Sequence, residues 1–303
     1  MSVSAVARTP EGPANDSGAG AAPGGLREVL RGVVRDRNGR IGLVITGVLV
    51  VTALAAMLGI TPQNPLTQHT DHLLESPSGT FWFGTDQFGR DVASRTFAGV
   101  AASLRVALLS VALAALVGTI AGVASGYLGG VWDQVVGRLT DVLFAFPAVL
   151  LALAIIAALG RGWLNTAIAI AIVYIPIFVR VSRGPTLSVR ELEYVAACRV
   201  LGFSRRRILF RHVLPNVSAP IVVQVALALS WAILTEAGLS FLGLGTQPPD
   251  PSLGLMVSEA RNLVTTAWWT MVFPSLAVVL AVIGLNMLGD GLRSALDPKE
   301  DRR

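Results

Sequence analysis

The 303-residue chain has few of the side chains that carry chemistry in enzymes, with one cysteine, three histidines and one lysine. A single cysteine, Cys198, excludes a disulfide framework within the chain, and three histidines argue against a multi-ligand metal centre. The phosphate-binding loop of an ATPase ends in lysine, but the only lysine, Lys299, follows a proline near the end of the sequence. We therefore expect no catalytic residue, metal or cofactor on this chain.

Charged residues are also scarce. They make up 14% of the sequence, against about 25% in a typical soluble protein. Hydrophobic residues make up 53%, and the mean hydropathy is +0.64. This composition excludes an ordinary soluble enzyme and predicts a protein that crosses the membrane several times.

Six apolar stretches are long enough to cross a membrane as helices. A helical span needs about 20 mostly apolar residues to cross about 30 Å of hydrocarbon. The sequence therefore predicts an all-α membrane protein with six transmembrane helices, at about 41–60, 106–127, 139–159, 163–181, 217–236 and 271–288.

The positions of the cationic residues predict the orientation of these helices, because arginines and lysines near span ends are retained in the cytoplasm. With the amino terminus inside, only five of the 24 cationic residues fall outside or at span edges: Arg90, Arg95, Arg105, Arg161 and Arg261. Both termini are therefore expected to be cytoplasmic. The pI near 10.3 then reflects this topology beside membrane lipids, and no nucleic-acid partner is expected.

This topology divides the chain into segments. They are a cytoplasmic tail at 1–40, the first transmembrane helix at 41–60, an extracytoplasmic loop at 61–102, a five-helix core at 103–293 and a cytoplasmic tail at 294–303. Within the core, a basic cytoplasmic loop at 182–216 is long enough to carry function.

Two short helices are predicted in this loop. Ser188 and Glu191 have the spacing of a capping box at the start of the first helix. Gly202 suits the left-handed residue after that helix, and Ser204 can cap a second, arginine-rich helix that ends near Pro215. The first helix is expected to be either a docking element or part of an ordinary basic loop held by lipid headgroups. One face of it carries a small apolar surface with a charged edge, formed by Leu192, Val195, Ala196 and Arg199.

Two runs in the loop, EYVAACRVLG at 193–202 and RHVLPN at 211–216, resemble the EAA loop of ABC importer permeases. In that family the loop is the docking site for the ATPase subunit. Where the consensus has Glu-Ala-Ala, this chain has two alanines and Cys198. By this resemblance, the residues expected to couple the chain to an ATPase are Glu191, Glu193, Ala196, Ala197, Arg199 and Gly202.

Three further runs, FGTDQFGRD at 83–91, LTEAGLSFLGLG at 234–245 and GLNMLGDGLR at 284–293, are similar to the second permease subunit of dipeptide and oligopeptide importers. The resemblance covers about 27–298. It implies the six-helix type I (MetI-like) permease fold in the plasma membrane of a bacterium.

The same resemblance implies a function and three partners. The partners are cytoplasmic ABC ATPase subunits that bind ATP and Mg, a homologous second permease subunit, and an extracytoplasmic solute-binding protein. This chain would hydrolyse nothing and would form half of the pathway for ATP-driven import of di- or oligopeptides or a similar small solute.

A pathway or gate role is expected near the extracytoplasmic end. The residues are Phe83, Asp86, Arg90 and Asp91 of the first of these runs, together with Glu236 at the end of the fifth span. A charge inside a span costs about 2.5–3.5 kcal/mol on insertion scales, so Glu236 is expected to line the pathway, act as a gate element or pair with an arginine such as Arg105.

An ion-gradient-driven carrier without an ATPase partner is the alternative function. Such carriers need several acidic or polar residues at mid-span, or broken helices at matched positions in two halves. Only Glu236 and Asn165 come near that pattern.

Residues that affect helix packing are also present in the spans. Small residues recur every four positions along the second span, at Ala114, Gly118, Gly122 and Gly126, and predict a ridge for close packing inside the bundle. Pro147 and Pro176 predict bends in the third and fourth spans.

Overall fold

The computed structural model describes residues 26–296, which form helices joined by loops and contain no β-sheet. The described part of the chain has eleven α-helices. They are α1 Leu26–Arg35, α2 Arg37–Met57, α3 Val92–Leu128, α4 Gly130–Phe144, α5 Ala148–Leu159, α6 Trp163–Arg190, α7 Glu193–Val200, α8 Arg205–Ile208, α9 Ser218–Phe241, α10 Leu253–Ala260 and α11 Trp269–Leu296. The predicted all-α class is confirmed.

Five of the described helices are long and apolar enough to cross a membrane: α2, α3, α6, α9 with the segment leading into it, and α11. The pair α4 and α5 is a sixth span if it is counted as one, and the two helices are bent by 94° relative to each other. The predicted 139–159 span is thus two helices. Pro147 has no amide hydrogen and disfavours helical geometry in the residue before it, so the helix cannot continue. Pro176, in contrast, lies within the uninterrupted α6.

The helix α3 begins earlier than the sequence indicates. The predicted extracytoplasmic loop runs to residue 102, but α3 already begins at Val92. Asp91 is its N-cap, and the Asp91 carboxylate accepts hydrogen bonds from the Ser94 backbone N–H at 2.8 Å and from the Ser94 hydroxyl at 2.6 Å. With 37 residues, α3 is about 55 Å long at 1.5 Å per residue, longer than the hydrocarbon core is thick.

The two ends of the described chain lie at the same end of the bundle. Residues 26–40, predicted as a tail, form α1 and the first turn of α2, while residues 1–25 and 297–303 are outside the described part. A Cβ atom built on Gly32 of α1 would lie 2.7 Å from the Cβ of Ala295, in the last turn of α11. We refer to this end, which also carries the 182–216 loop, as the arginine-rich end.

The predicted small-residue ridge packs inside the bundle, against α6. A Cβ atom on Gly118 would lie 2.6 Å from the Phe178 Cβ and 2.7 Å from the Ile175 carbonyl oxygen. A Cβ on Gly122 would collide with the backbone of Val179. The glycines therefore allow two backbones to approach closely, and the prediction of internal packing is confirmed.

Replacing Gly118 with valine is expected to separate α3 from α6. The added atoms would overlap backbone that cannot move aside, and overpacking of this kind costs about 1–3 kcal/mol. Thermal unfolding of the purified protein in detergent measures the loss. The matched control is Gly47→Val on α2, where an added Cβ meets nothing within 4 Å. Equal losses in the two variants would contradict the packing described here.

Candidate functional site

The 182–216 loop contains one separate short helix, α7, at Glu193–Val200. The predicted start at Ser188 is wrong, because Ser188 lies in the last turns of α6. The residue before α7 is Leu192, whose side chain makes no capping hydrogen bond. The capping-box spacing falls at the carboxyl end of α6, where Glu191 is the C-cap and the backbone N–H groups already have partners three or four residues back.

The helix α7 is attached to the bundle by one narrow face. Val195 is fully buried and Cys198 is 8% exposed, and both belong to a small core with Val123, Ile208, Val213 and Val217. Cys198 is therefore a packing residue of this face. Of the predicted surface, Leu192, Ala196 and Arg199 are exposed, whereas Val195 is buried in the attached face.

The opposite face of α7 is an exposed apolar surface. Ala196 and Ala197 are exposed, and Val200 and Leu201 are 87% and 70% exposed. The helix packs on the bundle through one face and exposes apolar side chains on the other. This arrangement is typical of a surface that enters a groove on another protein. We refer to Ala196, Ala197, Val200 and Leu201 as the α7 knob.

Gly202 and Ser204 form the turn after α7, as predicted. Gly202 has φ +74°, and an added Cβ would meet nothing within 4 Å, so glycine is favoured there by backbone conformation alone. The Phe203 N–H donates to the Cys198 carbonyl at 3.1 Å, which closes the helix end. Ser204 is the N-cap of α8, and its hydroxyl accepts from the Arg207 N–H at 3.4 Å.

The helix that follows does not end at Pro215, contrary to the prediction. A π-helical turn at Leu209–Val213 and a 3-10 turn at Leu214–Val217 continue from α8 into α9. The change in hydrogen-bond spacing accommodates the missing N–H of Pro215 without ending the helix. Asn216 then braces the loop, since its amide donates to the His212 carbonyl at 2.6 Å and to the Tyr194 hydroxyl at 3.2 Å.

Two arginines fasten the loop to the bundle. Arg190 donates to the Gly126 carbonyl at the end of α3 at 2.7 Å and to the Glu191 carboxylate at 2.8 Å. Arg199 donates to the Arg190 carbonyl at 2.7 Å. Glu193 makes no side-chain hydrogen bond or ion pair with the described residues. Of the six predicted coupling residues, Arg199 and Gly202 shape the loop and Glu191 pairs with Arg190, while Glu193, Ala196 and Ala197 are exposed on it.

At the other end of the bundle, Asp86 and Arg90 belong to a buried ionic cluster. Arg90 donates to Asp86 at 2.6 Å and to Glu259 of α10 at 3.0 Å. Arg95, whose side chain is 1% exposed, lies 3.4 Å from Glu259 and 3.6 Å from Asp86. We refer to these four residues, two cations and two anions, as the buried ion quartet. These ion pairs join the 83–91 segment and α3 to α10.

Sequence reasoning missed half of this quartet. Arg95 looked like a cation at a span edge, and Glu259 lies in a segment that resembles none of the motifs. No local pattern marks them, because Glu259, whose side chain is 23% exposed, meets the two arginines only through the fold.

The Phe83 side chain packs against another aromatic ring, and the Asp91 side chain caps a helix. The Phe83 ring stacks on Phe273 of α11 with centroids 4.0 Å apart, and the Trp269 indole N–H donates to the Thr85 carbonyl at 3.0 Å. Asp91 caps α3 as described above. The exposed side chains of this region are instead Trp82, Gln87 and Phe88.

Glu236 is completely buried between α3 and α9. Its carboxylate accepts from the Ser103 hydroxyl and from the Ser240 hydroxyl, each at 2.6 Å. The predicted partner Arg105 does not reach it, since the Arg105 guanidinium lies 4.0 Å above the ring of Trp163. Ser103 and Ser240 are small enough to approach the carboxylate closely, and the Arg105 side chain is exposed.

The chain is thus a multi-span helical membrane protein with a helical loop presented at its arginine-rich end. Residues 114–302 match the model of the family described as binding-protein-dependent transport system inner membrane component. The chain belongs to this family. It is a permease subunit of an ABC transporter in the bacterial inner membrane, and it is not itself the catalytic subunit.

Close relatives support the same assignment. The chain is 42% identical to the dipeptide transport system permease protein DppC of Alkalihalophilus pseudofirmus, over 90% of each chain. It is 46% identical to the glutathione transport system permease protein GsiD of Pectobacterium atrosepticum, over 76% of each chain. It is 40% identical to the di/tripeptide transport system permease protein DppC of Pseudomonas aeruginosa, over 91% of this chain and 93% of the relative. The predicted resemblance to ABC importer permeases is confirmed.

Proposed function

We propose that this permease subunit forms half of the pathway of an ATP-driven importer of di- or oligopeptides or a similar small solute. The observation that carries the proposal is the exposed α7 knob, held by a braced loop at the arginine-rich end of the bundle. The substrate class follows the named functions of the relatives, which transport dipeptides, tripeptides and glutathione.

ATP and Mg are assigned to a separate cytoplasmic subunit. The single lysine of this chain is not part of a phosphate-binding loop, so the ATPase site belongs to another polypeptide. The α7 knob would enter a groove of that ATPase, with Glu191 and Glu193 at its edge. Arg199 and Gly202 would keep the knob at a fixed angle, so that closure of the ATPase subunits moves α7 and the bundle together.

This assignment places the arginine-rich end and both termini in the cytoplasm. The distribution of cationic residues supports that orientation, and the described ends of α1 and α11 lie at the same end of the bundle as the loop. The opposite end, outside the membrane, would then receive a solute-binding protein on the exposed Trp82, Gln87 and Phe88. The buried ion quartet would hold that surface in position.

A homologous second permease is the remaining partner. One chain with six spans at most supplies only one wall of a pathway, and two such chains enclose it. The third span is divided by a 94° bend. Non-helical backbone within a membrane is found where it contacts protein or water instead of lipid, which agrees with a second subunit on that side.

Measurements of uptake after removal of either ATP or the ion gradients test the energy source. Cells that contain the complete system are expected to lose dipeptide uptake when ATP is depleted or vanadate is added, and to keep it when ionophores collapse the ion gradients. Uptake that survives ATP depletion and stops with the ionophore would contradict the proposal and favour the ion-gradient-driven carrier.

A further inference from the structure

A partly open cavity lies beside α7 at the arginine-rich end. Its volume is about 570 Å³, and small-molecule sites in proteins typically measure about 300–1,000 Å³. Residues from the carboxyl ends of α3 and α6, from α7 and from α8 line it, while none of the four residues of the α7 knob does. The cavity is therefore separate from the surface that we propose to bind the ATPase.

The lining of the cavity has an excess of positive charge. Three arginines, Arg190, Arg199 and Arg205, line it together with one carboxylate, that of Glu191. We refer to it as the arginine cavity. Arg190 pairs with Glu191 at 2.8 Å, whereas neither Arg199 nor Arg205 forms an ion pair with any residue in the described part of the chain. Two cations of the lining are thus left without an anion.

The side chains of Arg199 and Arg205 also have hydrogen-bond donors available. Arg199 uses one donor at the Arg190 carbonyl, 2.7 Å away, and the Arg205 side chain makes no hydrogen bond to the residues that the structure describes. A guanidinium group carries five N–H donors in a planar arrangement, and it binds phosphate through two parallel hydrogen bonds. The charge and the donors of the arginine cavity therefore suit a phosphate group.

The length of α6 places the arginine cavity at the level of the lipid headgroups. At 1.5 Å per residue, the 28 residues of α6 are about 42 Å long. A bilayer with its headgroup regions is about 40–45 Å thick. Arg190, the last residue of α6, lines the cavity, so the cavity lies near one face of the bilayer.

Apolar side chains adjoin the arginine cavity. Leu128, at the end of α3, lines the cavity and is 42% exposed. Just beyond it in the sequence, Val131 and Trp132 at the start of α4 are 75% and 66% exposed. Tryptophan is enriched where a membrane protein meets the headgroup region. A cationic cavity next to such a surface matches a phospholipid, whose acyl chains adjoin its phosphate, better than it matches a soluble anion.

We propose that the arginine cavity binds the phosphate group of an anionic phospholipid, with Arg199 and Arg205 as its cationic ligands. Basic pockets between spanning helices on the cytoplasmic side are typical sites for such headgroups. The bound phosphate joins α7 to α8 and thereby helps to hold the loop against the bundle. This inference requires only that the chain lies in a membrane, so it does not depend on ATP-driven import.

A lipid titration with two matched variants tests the site. The chain is purified in detergent with the subunits that accompany it, and native mass spectrometry counts bound phosphatidylglycerol as its concentration is raised. Arg205→Gln is expected to weaken the tightest binding about tenfold, as for loss of one charge-assisted contact. Arg206→Gln is the control and should bind as the unaltered chain does, because Arg206 is exposed on the same short helix but does not line the cavity. Equal binding by the two variants would overturn the proposal and indicate general attraction between the basic loop and anionic lipid.

Two further probes and one comparison identify the source of the phosphate. Phosphatidylcholine, whose headgroup has no net charge, is expected to bind at least about tenfold more weakly than phosphatidylglycerol. Inorganic phosphate that binds as tightly as phosphatidylglycerol, and loses affinity in Arg205→Gln, would overturn the lipid assignment in favour of a soluble phosphate compound. Phosphatidylglycerol binding that appears only after the accompanying subunits are removed would also overturn it and assign the cavity to an acidic segment of a partner.

Discussion

Replacing Ala197 with glutamate is expected to reduce ATP-driven uptake by at least about tenfold while the permease remains folded in the membrane. Ala197 is exposed on the α7 knob, and glutamate is compatible with a helix, so the chain itself should tolerate the change. A partner groove that accepts alanine would have to desolvate the new carboxylate without compensation. Loss of a central contact costs about 2 kcal/mol or more, which corresponds to about thirtyfold in affinity.

Uptake and ATPase activity of the complete transporter in proteoliposomes measure this effect. Ala197→Ser is the matched control, because it keeps the residue small and uncharged, and it should retain most of the activity. The unfolding temperature of the isolated chain should be the same for both variants. Full transport by the glutamate variant would show that the α7 knob is not buried against an ATPase.

Removing Glu259 is expected to give a large loss of stability at the end of the bundle opposite the arginine-rich end. In the Glu259→Ala variant, Arg90 and Arg95 would remain buried with Asp86 as the single acid. Breaking a buried ionic network by removal of one member typically costs about 3–5 kcal/mol. Thermal unfolding in detergent should therefore begin at a clearly lower temperature.

A double-mutant cycle separates the network from the individual side chains. The Arg95→Met, Glu259→Leu double variant removes one charge of each sign and is expected to lose less stability than the sum of the two single variants. As a reference, the pair of Arg180 and Asp141, whose side chains are 58% and 64% exposed, should show little coupling in the same kind of cycle. Additive losses for Arg95 and Glu259 would mean that the buried ion quartet does not act as a unit.

The sequence predicted the helical features that depend on local chemistry. Gly202 and Ser204 mark the turn after α7 because a positive φ and a capping hydroxyl are local requirements. The spacing of Gly118 and Gly122 predicted close packing because helical periodicity places them on one face. These features need no knowledge of distant residues.

Features that depend on contacts between distant segments were not predictable in the same way. Glu259 meets Arg90 across 169 positions of the chain, and nothing near either residue indicates the other. The start of α7 at Glu193 depends on where α6 ends, and the capping-box spacing at Ser188 could not distinguish the start of a helix from the end of one. The continuation of helix through Pro215 depends on a π-helical turn, which no residue type specifies alone.

Purification of the tagged chain from its native membrane, with the co-purified proteins identified by mass spectrometry, tests whether the α7 knob binds an ATPase. The comparison is between the unaltered chain and a variant with bulky charged residues at Ala196, Ala197 and Gly202. The unaltered chain is expected to bring an ATPase and a second permease, and the variant is expected to lose the ATPase. Recovery of the unaltered chain alone, in a form whose uptake is insensitive to loss of ATP, would contradict that expectation.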